Sequence, residues 1–491
     1  MNILGISAGF HDAAATVLSP EGEILFAGHS ERYSKIKNDA DISADLFNEA
    51  LSYGIVGHVA YYERPWAKQL RRLYSGEGFD WSSLTLKQVL NRQLKNIQFP
   101  EYSSHNHHLS HAAAGFQTST FDRATVVVID AIGEWDTISI WGAHYVNGRA
   151  QYHRLWGQKY PHSIGLFYSA MTQAVGLKPN EEEYIMMGMA AYGNKVGAAN
   201  LKQNLIANEW DITFKENMHT GASFPWGEHF DKMDIAASAQ SFCENLIYNV
   251  MRRAKDFGWS RNLCYMGGVA LNCLANRKLG DYFENIWIMP NPGDAGSSLG
   301  CAALALGSRV NWRDSFLGYN IPGVYPVNQL LDRLLSDKIV GVASGRAEFG
   351  PRALGNRSLL ADPRGGEIKE KVNEIKRRQK FRPFAPIILE EYANEYFDMP
   401  CGFPTSPYMQ SVAVCREPNS FPAIIHHDGT SRVQTVPRGA GGIRELLEKW
   451  FVVTGCPMLL NTSLNIRGEP MVNDRKDADR FEQLYGIKVC S

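Results

Sequence analysis

Not one Cys-x-x-Cys pair occurs in this chain of 491 residues, although it holds eight cysteines. Cys243, Cys264, Cys273, Cys301, Cys401, Cys415, Cys456 and Cys490 are scattered from residue 243 onward. That spacing excludes a structural zinc motif and a disulfide framework, and it suits a reducing cytosol. Excess charge of either sign is also missing. Lys and Arg number 50 against 51 Asp and Glu, a net charge of −1, so no global field draws the chain to nucleic acid or membrane. Any site for a polyanion has to be a local patch. No apolar run reaches membrane-spanning length, and the opening MNILGISAGF has neither a basic n-region nor a long h-region. The expectation is a cytoplasmic protein with no membrane partner.

What is present is a globular composition, 44% hydrophobic and 21% charged, over a length that calls for two or three domains. The first thirty residues read as three short strands, NILGISA, AAATVLS and EILFAGHS, separated by turns at Gly9-Phe10-His11-Asp12 and Pro20-Glu21-Gly22. The same plan returns in TVVVIDA, TISIWGAHY and QYHRLW, with turns at Ile132-Gly133-Glu134 and Asn147-Gly148. Such a repeat points to an internal duplication, two α/β half-domains each built on a mixed sheet.

Between these runs, His107 and His111 stand four residues apart in NHHLSHAAAGF, nineteen residues ahead of Asp130 at the end of TVVVID. Imidazoles at i and i+4 face one side of a helix and can share one cation. A carboxylate at the mouth of the next strand is a natural third ligand. The same residues also fit a helix N-terminus with part-exposed histidines, capped by Ser103, Ser104 or Asn106. Residues 64–95 carry Arg64, Lys68, Arg71, Arg72, Lys87, Arg92 and Lys95, interleaved with Trp66, Tyr74, Phe79 and Trp81. That mixture can follow a phosphate backbone and stack on bases, or simply make up the solvated faces of ordinary helices.

Residues 234–257 predict a helix, and LCYMGGVALN predicts a strand that breaks at Gly267-Gly268. The segment IWIMPNPGDAGSSLGCAALALG repeats strand, turn and small-residue helix. Glycines at a strand-to-helix turn let backbone N–H groups approach a nucleotide. A Gly- and Pro-rich boundary falls near 318–328, and beyond it the loop GRAEFGPRALGNRSLLADPRGG carries Arg346, Arg352, Arg357 and Arg364. With Arg382, Arg432 and the polar trio Asn461, Ser463 and Asn465, this region predicts an anion site built on Gly- and Pro-fixed loops.

Eleven strings along the chain carry a resemblance. They run from GISAGFHDAAA, ERYSKIKND and HHLSHAAAGF through HSIGLFYSAMTQAVG, EEEYIMMGMAAYG, MGGVALN and PNPGDAGSSLG. FGPRALGNRS, FRPFAP, HDGTSRVQ and NTSLN followed by GEP complete them. In this order they resemble the O-carbamoyltransferases of the nodulation-protein, cephem and aminoglycoside type. The resemblance implies an α/β fold with two parts. A duplicated actin-like ATPase domain is expected at 1–322, completed by 470–491, and a YrdC-like α/β domain at 323–469. It further implies ATP, carbamoyl phosphate and a divalent metal, iron(II) with Mg or Mn as alternatives. His107, His111, Asp130 and Asp294 are the implied metal ligands, and His11 in GFHD the implied catalytic base. Gly267, Gly268 and Asn272 would hold adenosine. Arg352, Lys376, Lys380, Arg382 and Arg432 would hold phosphates, with Asn461 and Ser463 beside them.

One departure is Ile185, where the family reads Glu-Tyr-Lys before Met-Gly. For the acceptor hydroxyl, the basic and aromatic stretch 64–95 and the altered Ile185 point to 5-hydroxymethylcytosine in DNA of viral type. A sugar or antibiotic-type natural product is the alternative. A tRNA threonylcarbamoyl-type enzyme and a non-catalytic nucleotide-binding switch are alternatives of another class. A homodimer is a further expectation.

Overall fold

A computed structural model describes residues 1–94, 97–221 and 230–491, so Lys95 lies outside the described residues. The chain divides into two units. The first comprises Met1–Ser30, Asn38–Ala275 and Leu279–Arg313; the second comprises Glu31–Lys37, Asn276–Lys278 and Asp314–Ser491.

The first unit holds two five-stranded sheets. In one, β1 (Asn2–Ser7), β2 (Ala14–Leu18), β3 (Ile24–His29), β4 (Val56–Tyr61) and β5 (Glu101–Ser104) lie in the order β3-β2-β1-β4-β5. The other contains β6 (Arg123–Gly133), β7 (Asp136–Val146), β8 (Arg149–Lys159), β9 (Asn262–Met266) and β10 (Asn285–Trp287). Its order is β8-β7-β6-β9-β10. Both sheets pair their first three strands antiparallel and their last two parallel to the first. The duplication read from the sequence is therefore exact at the level of strand order and direction, and it yields the expected actin-like α/β plan.

Each sheet is followed by one helix, α1 (His107–Thr118) after β5 and α2 (Ser297–Leu306) after β10. Both are unusual in composition. The run AAAG in α1 and GCAA in α2 is completely buried, so small residues take positions that Leu or Ile fill elsewhere. Gly300 explains this: a Cβ there would lie 1.8 Å from the Ser110 carbonyl oxygen. Gly5 of β1 is as crowded, its Cβ position 1.9 Å from the Ser298 carbonyl. Two helices and a strand thus pack backbone against backbone, which interiors packed at crystal density permit only where side chains vanish. The expected helix at 234–257 is present as α3 (Lys232–Asp256), capped by Asp231.

The second unit centres on a six-stranded sheet. It is made of β11 (Ile339–Ala343), β12 (Arg357–Ala361), β13 (Ala385–Leu389), β14 (Gln434–Val436), β15 (Met458–Ser463) and β16 (Val489–Cys490). The order is β14-β13-β15-β12-β11-β16, over a core that includes Val340, Leu360, Ile387, Trp450 and Leu459. Here the expected division needs correction. The tail 470–491 does not complete the first unit, because β16 pairs in parallel with β11, Val489 opposite Gly341 and Cys490 opposite Val342. A two-residue strand has no periodicity to read, so only the sheet edge it joins reveals where it belongs. The boundary also falls earlier than 322, after Arg313.

Replacing Gly300 by Val should cost about 1–3 kcal/mol through overpacking. Chemical denaturation measures this, and an unchanged midpoint would contradict the proposed close helix contact.

Candidate functional site

The N-terminus of α1 is held unusually firmly. Asn106 is its N-cap and accepts from the Leu109 amide at 3.0 Å. Glu134, buried in the β6–β7 turn, accepts from the His107 amide at 3.3 Å and from Asn106 Nδ2 at 3.2 Å. A carboxylate at this end of a helix also complements its dipole. Arg64 holds Glu134 in turn, its Nε 3.0 Å from one carboxylate oxygen and its amide 2.7 Å from the other. The turn brings Gly133 so near that a Cβ on it would stand 2.4 Å from Cδ2 of His107.

Into this frame come all four expected ligands. His107 and His111 project from α1, Asp130 from the end of β6, and Asp294 from the turn before α2. The Nε2 atoms of the two histidines are 3.1 Å apart. His107 Nε2 is 3.2 Å from Asp130 Oδ2 and 3.4 Å from Asp294 Oδ1. His111 Nε2 is 3.2 Å from Asp294 Oδ1 and 3.4 Å from Asp130 Oδ2. All four groups are buried, and their donor atoms lie within 4.8 Å of one another. Donors bound about 2.0–2.1 Å from one tetrahedral ion stand roughly 3.3 Å apart, so five edges of the cluster have a suitable length.

Tautomers support the same conclusion. His111 Nδ1 lies 3.1 Å from the Pro292 carbonyl, which only accepts, so in the neutral ring the proton sits there and Nε2 turns a lone pair inward. Two inward imidazole nitrogens with two carboxylates form a donor set for a divalent cation. Nitrogen and oxygen donors suit several first-row ions, and this set does not choose among them. Without a cation, burial opposes every charge here, yet mutual pairing prevails. His107 and His111 are raised above the ordinary imidazole range by Asp130 and Asp294, and both carboxyls are held below the carboxylate range by the two histidines. His108, between the ligands in sequence, faces elsewhere. Its Nδ1 meets the Ser139 hydroxyl at 2.7 Å, and burial pushes it down to about 3.

His11 sits on the turn between β1 and β2, its ring partly exposed and its Nδ1 3.0 Å from Asp12. Burial lowers its affinity for a proton, but the bond to Asp12 and the fields of Asp294, Asp12 and Asp130 outweigh this and push it up to about 9. His11 therefore lies within the field of the cluster.

For the adenosine positions the structure is more selective. Gly267 has φ of +91°, and a Cβ there would meet the Ile129 carbonyl at 2.1 Å, so only glycine fits. The Gly268 amide donates to Asp130 Oδ1 at 3.2 Å, joining this turn to the ligand set. Asn272 is buried and its amide is engaged with Gln240 on α3, at 2.9 and 3.1 Å. In this state it locks the turn to the helix.

In the second unit, Lys376 is buried and donates to the Ser463 carbonyl, to the Ser463 hydroxyl at 3.1 Å and to Asn465 Oδ1 at 2.8 Å. Burial, with Arg378 and Arg382 nearby, holds its amine well below the ordinary lysine range. Asn461, two residues before Ser463 on β15, donates to the Ala353 carbonyl at 3.0 Å and to Gln434 at 2.7 Å. It thereby joins the residue after Arg352 to the strand that follows Arg432. Arg352, Arg382 and Arg432 are half-buried, and Lys380 is exposed.

Not every arginine of the expected anion loop serves an anion. Arg357 is wholly buried and gives its guanidinium to the carbonyls of Asn473, Ser344, Asn356, Tyr319 and Gly345. Arg364 is paired with Asp362, and Arg346 with the Leu317 and Gly318 carbonyls. These three build the loop. Glu348, unnoticed in the sequence, organises it by accepting the amides of Leu354, Asn356 and Arg357 through one oxygen. Glu134 stood out in the sequence only as a turn residue, with nothing to mark its hold on α1. Single acids beside a strand end or a turn carry no spacing signal.

Helix Pro65–Tyr74 leaves Trp66, Leu70, Leu73 and Tyr74 exposed, and Trp81 follows them. Its cations are taken up internally: Arg64 by Glu134, Lys68 by Glu63, and Arg71 and Arg72 by Glu77. Ile185 is buried, so a lysine there would require a charge in an apolar setting.

A duplicated α/β unit with a buried two-histidine, two-carboxylate centre, joined in sequence to a unit with cation-lined loops, defines a class of group-transfer enzyme. Residues 56–303 match the family described as Carbamoyltransferase N-terminus, and residues 331–489 match Carbamoyltransferase C-terminus. The Synechocystis sp. protein sll1178 is 34% identical over 98% of this chain and 94% of its own length. Nodulation protein NolNO of Sinorhizobium fredii is 30% identical over 95% of this chain and 76% of its own. Nodulation protein NolO of Bradyrhizobium diazoefficiens is 32% identical over 76% and 75%. The chain belongs to the carbamoyltransferase family and is a transferase.

Gly133→Ala should abolish metal binding although it substitutes none of the four ligand residues, because its methyl would displace the His107 ring. Mn²⁺ titration followed by paramagnetic resonance checks this, and parental affinity in the variant would refute it.

Proposed function

We propose that the chain performs ATP-dependent O-carbamoyl transfer in two steps. In the second, YrdC-like unit, water cleaves carbamoyl phosphate to carbamate and phosphate, and the carbamate oxygen attacks the α-phosphate of ATP to form carbamoyl-adenylate as pyrophosphate leaves. The carbamoyl group then passes to an acceptor hydroxyl in the first unit, and AMP leaves. The observation that carries this reading is the contrast between the two units. One holds an acid and imidazole cluster suited to a cation; the other holds Lys376, whose donors all go to neutral oxygens, in the field of Arg378 and Arg382. A phosphate arriving there would favour the charged form of the Lys376 amine, which burial disfavours.

His107, His111, Asp130 and Asp294 would hold a divalent ion, iron(II) or a similar ion such as Mg or Mn. Such an ion supplies charge stabilisation to the phosphate of the departing AMP. The turn at Gly267 and Gly268, free of side chains, is the proposed nucleotide contact, its amides engaged by the Pro292 carbonyl and Asp130 Oδ1. His11 is the residue proposed to take the hydroxyl proton, a contribution of roughly 10²–10⁴-fold for a positioned base. The bond to Asp12 and the fields of Asp294 and Asp130 favour its protonated form, so neutralising the two cluster carboxylates would shift it toward the proton-accepting form.

For the acceptor, the aromatic residues near the centre give the best support. Phe10 neighbours His11 with ring centroids 4.6 Å apart, Arg64 stands over Trp66, and Tyr74 packs by Trp135; Phe10, Trp66 and Tyr74 are each more than half exposed. The nearby cations are neutralised by glutamates, which favours a neutral hydroxylated ring, as in a sugar or natural product, over a polyanion. DNA carrying 5-hydroxymethylcytosine remains the competing acceptor, supported by the exposed aromatics alone.

The test is pyrophosphate release with carbamoyl phosphate and ATP, read beside labelled carbamoyl incorporation into sugars, aminoglycosides and hydroxymethylated DNA. Arg352→Ala should lose pyrophosphate release, whereas His107→Ala should keep it and lose transfer. Equal loss of pyrophosphate release in both variants would contradict the division. Turnover with bicarbonate and threonine in place of carbamoyl phosphate would support a threonylcarbamoyl-type enzyme.

A further inference from the structure

The two histidine ligands are oriented by different means. His111 Nδ1 faces the Pro292 carbonyl, a neutral acceptor, at 3.1 Å. His107 Nδ1 is buried and has no hydrogen-bond partner among the described residues, but Glu63 Oε2 stands 3.7 Å from it. Glu63 is itself buried, at the end of β4, and its other oxygen takes Lys68 Nζ at 2.7 Å. Lys68 Nζ also reaches the Gly9 carbonyl at 3.2 Å, and Gly9 opens the turn that carries His11. A line of contacts therefore runs from the His11 turn through Lys68 and Glu63 to the far nitrogen of a cluster histidine.

A buried ion pair is poor value for stability alone, because desolvation cancels most of the attraction and an apolar pair serves as well. Its position behind a ligand gives it another use. A carboxylate behind an imidazole makes the inward nitrogen a stronger donor and fixes the ring, and loss of such a partner commonly weakens metal binding 10–100-fold. We propose that Glu63 is a positioning residue for the metal centre, orienting and polarising His107, and that Lys68 ties this carboxylate to the turn bearing His11. The inference rests on the four-ligand centre proposed above. It adds to that centre a charged group outside the donor set, making one ligand a stronger donor than the other.

Glu63→Gln leaves Lys68 buried without its acid and can destabilise the fold, so the double variant Glu63→Gln/Lys68→Met is the cleaner probe. It removes the pair together and leaves no uncompensated charge. In the full chain, Mn²⁺ alone is titrated by calorimetry, thermal unfolding is recorded without metal, and carbamoyl transfer is followed as a function of Mn²⁺. The expected result is a thermal midpoint at least equal to the parent, a Mn²⁺ Kd weakened 10–100-fold, and transfer largely recovered at saturating Mn²⁺. A Kd within twofold of the parent would overturn the assignment of Glu63 alone. A parent chain that binds no Mn²⁺ would overturn the centre itself, and this inference with it. Transfer lost to the same degree at every Mn²⁺ concentration would show a structural role instead.

Discussion

Two helices that touch through their backbones govern this protein. Small residues line both helices, and a Cβ at Gly300 of α2 would meet the Ser110 carbonyl of α1 at 1.8 Å. Helices with larger side chains at their contact stand 8–10 Å apart, and at the upper end of that range the starts of these two helices would not bring their ligands together. The small-residue contact is what lets Asp294, ahead of α2, reach His111 on α1. The same tightness reaches β1 through Gly5, so the two halves of the duplicated unit are joined at the place where the cluster forms.

Duplication then explains why the centre is mixed. Helices α1 and α2 occupy equivalent places after their sheets, yet one carries two imidazoles and the other is preceded by a carboxylate. Asp130 lies in the last residues of β6 toward the turn, and its counterpart strand β1 leads into the turn with His11. Equivalent positions in the two halves have thus taken on complementary chemistry, and the cluster needs both. Around it, Glu134 and Glu63 act on His107 from two sides, one through the helix amide and one through the ring.

The second unit solves a different problem, how to satisfy a wholly buried arginine without a carboxylate partner. Arg357 is satisfied by five carbonyls, and Glu348 collects three loop amides instead of an arginine side chain. Burial holds the Arg357 guanidinium at about 10, still charged at neutral pH. A loop stiffened in this way can carry Arg352 toward a ligand while its neighbours remain structural.

Much of this was legible in the sequence. Alternation and Gly-bearing turns located all six strands of the two opening trios, and the i, i+4 spacing put His107 and His111 on one helical face. The repeated strand, turn and small-residue helix announced the turns at Gly267 and Gly293. These are local signals, set by periodicity and by residues whose backbone freedom is special. The rest depended on contacts distant along the chain. Glu63 and Glu134 are ordinary acids until β4 and the β6–β7 turn bring them beside His107. Arg357 looked like an anion ligand until the sheet surrounded it with carbonyls, and the tail at 489–490 had no visible destination until it joined β11. Residue chemistry and helical spacing by themselves marked His107 and His111, with Asp130, as able to share a cation, because these are properties of the residues themselves; Asp294 joined them only through the family resemblance. Only the tertiary structure decided that these four, drawn from 188 positions of chain between His107 and Asp294, share one buried point, because burial and pairing exist only after distant segments have packed.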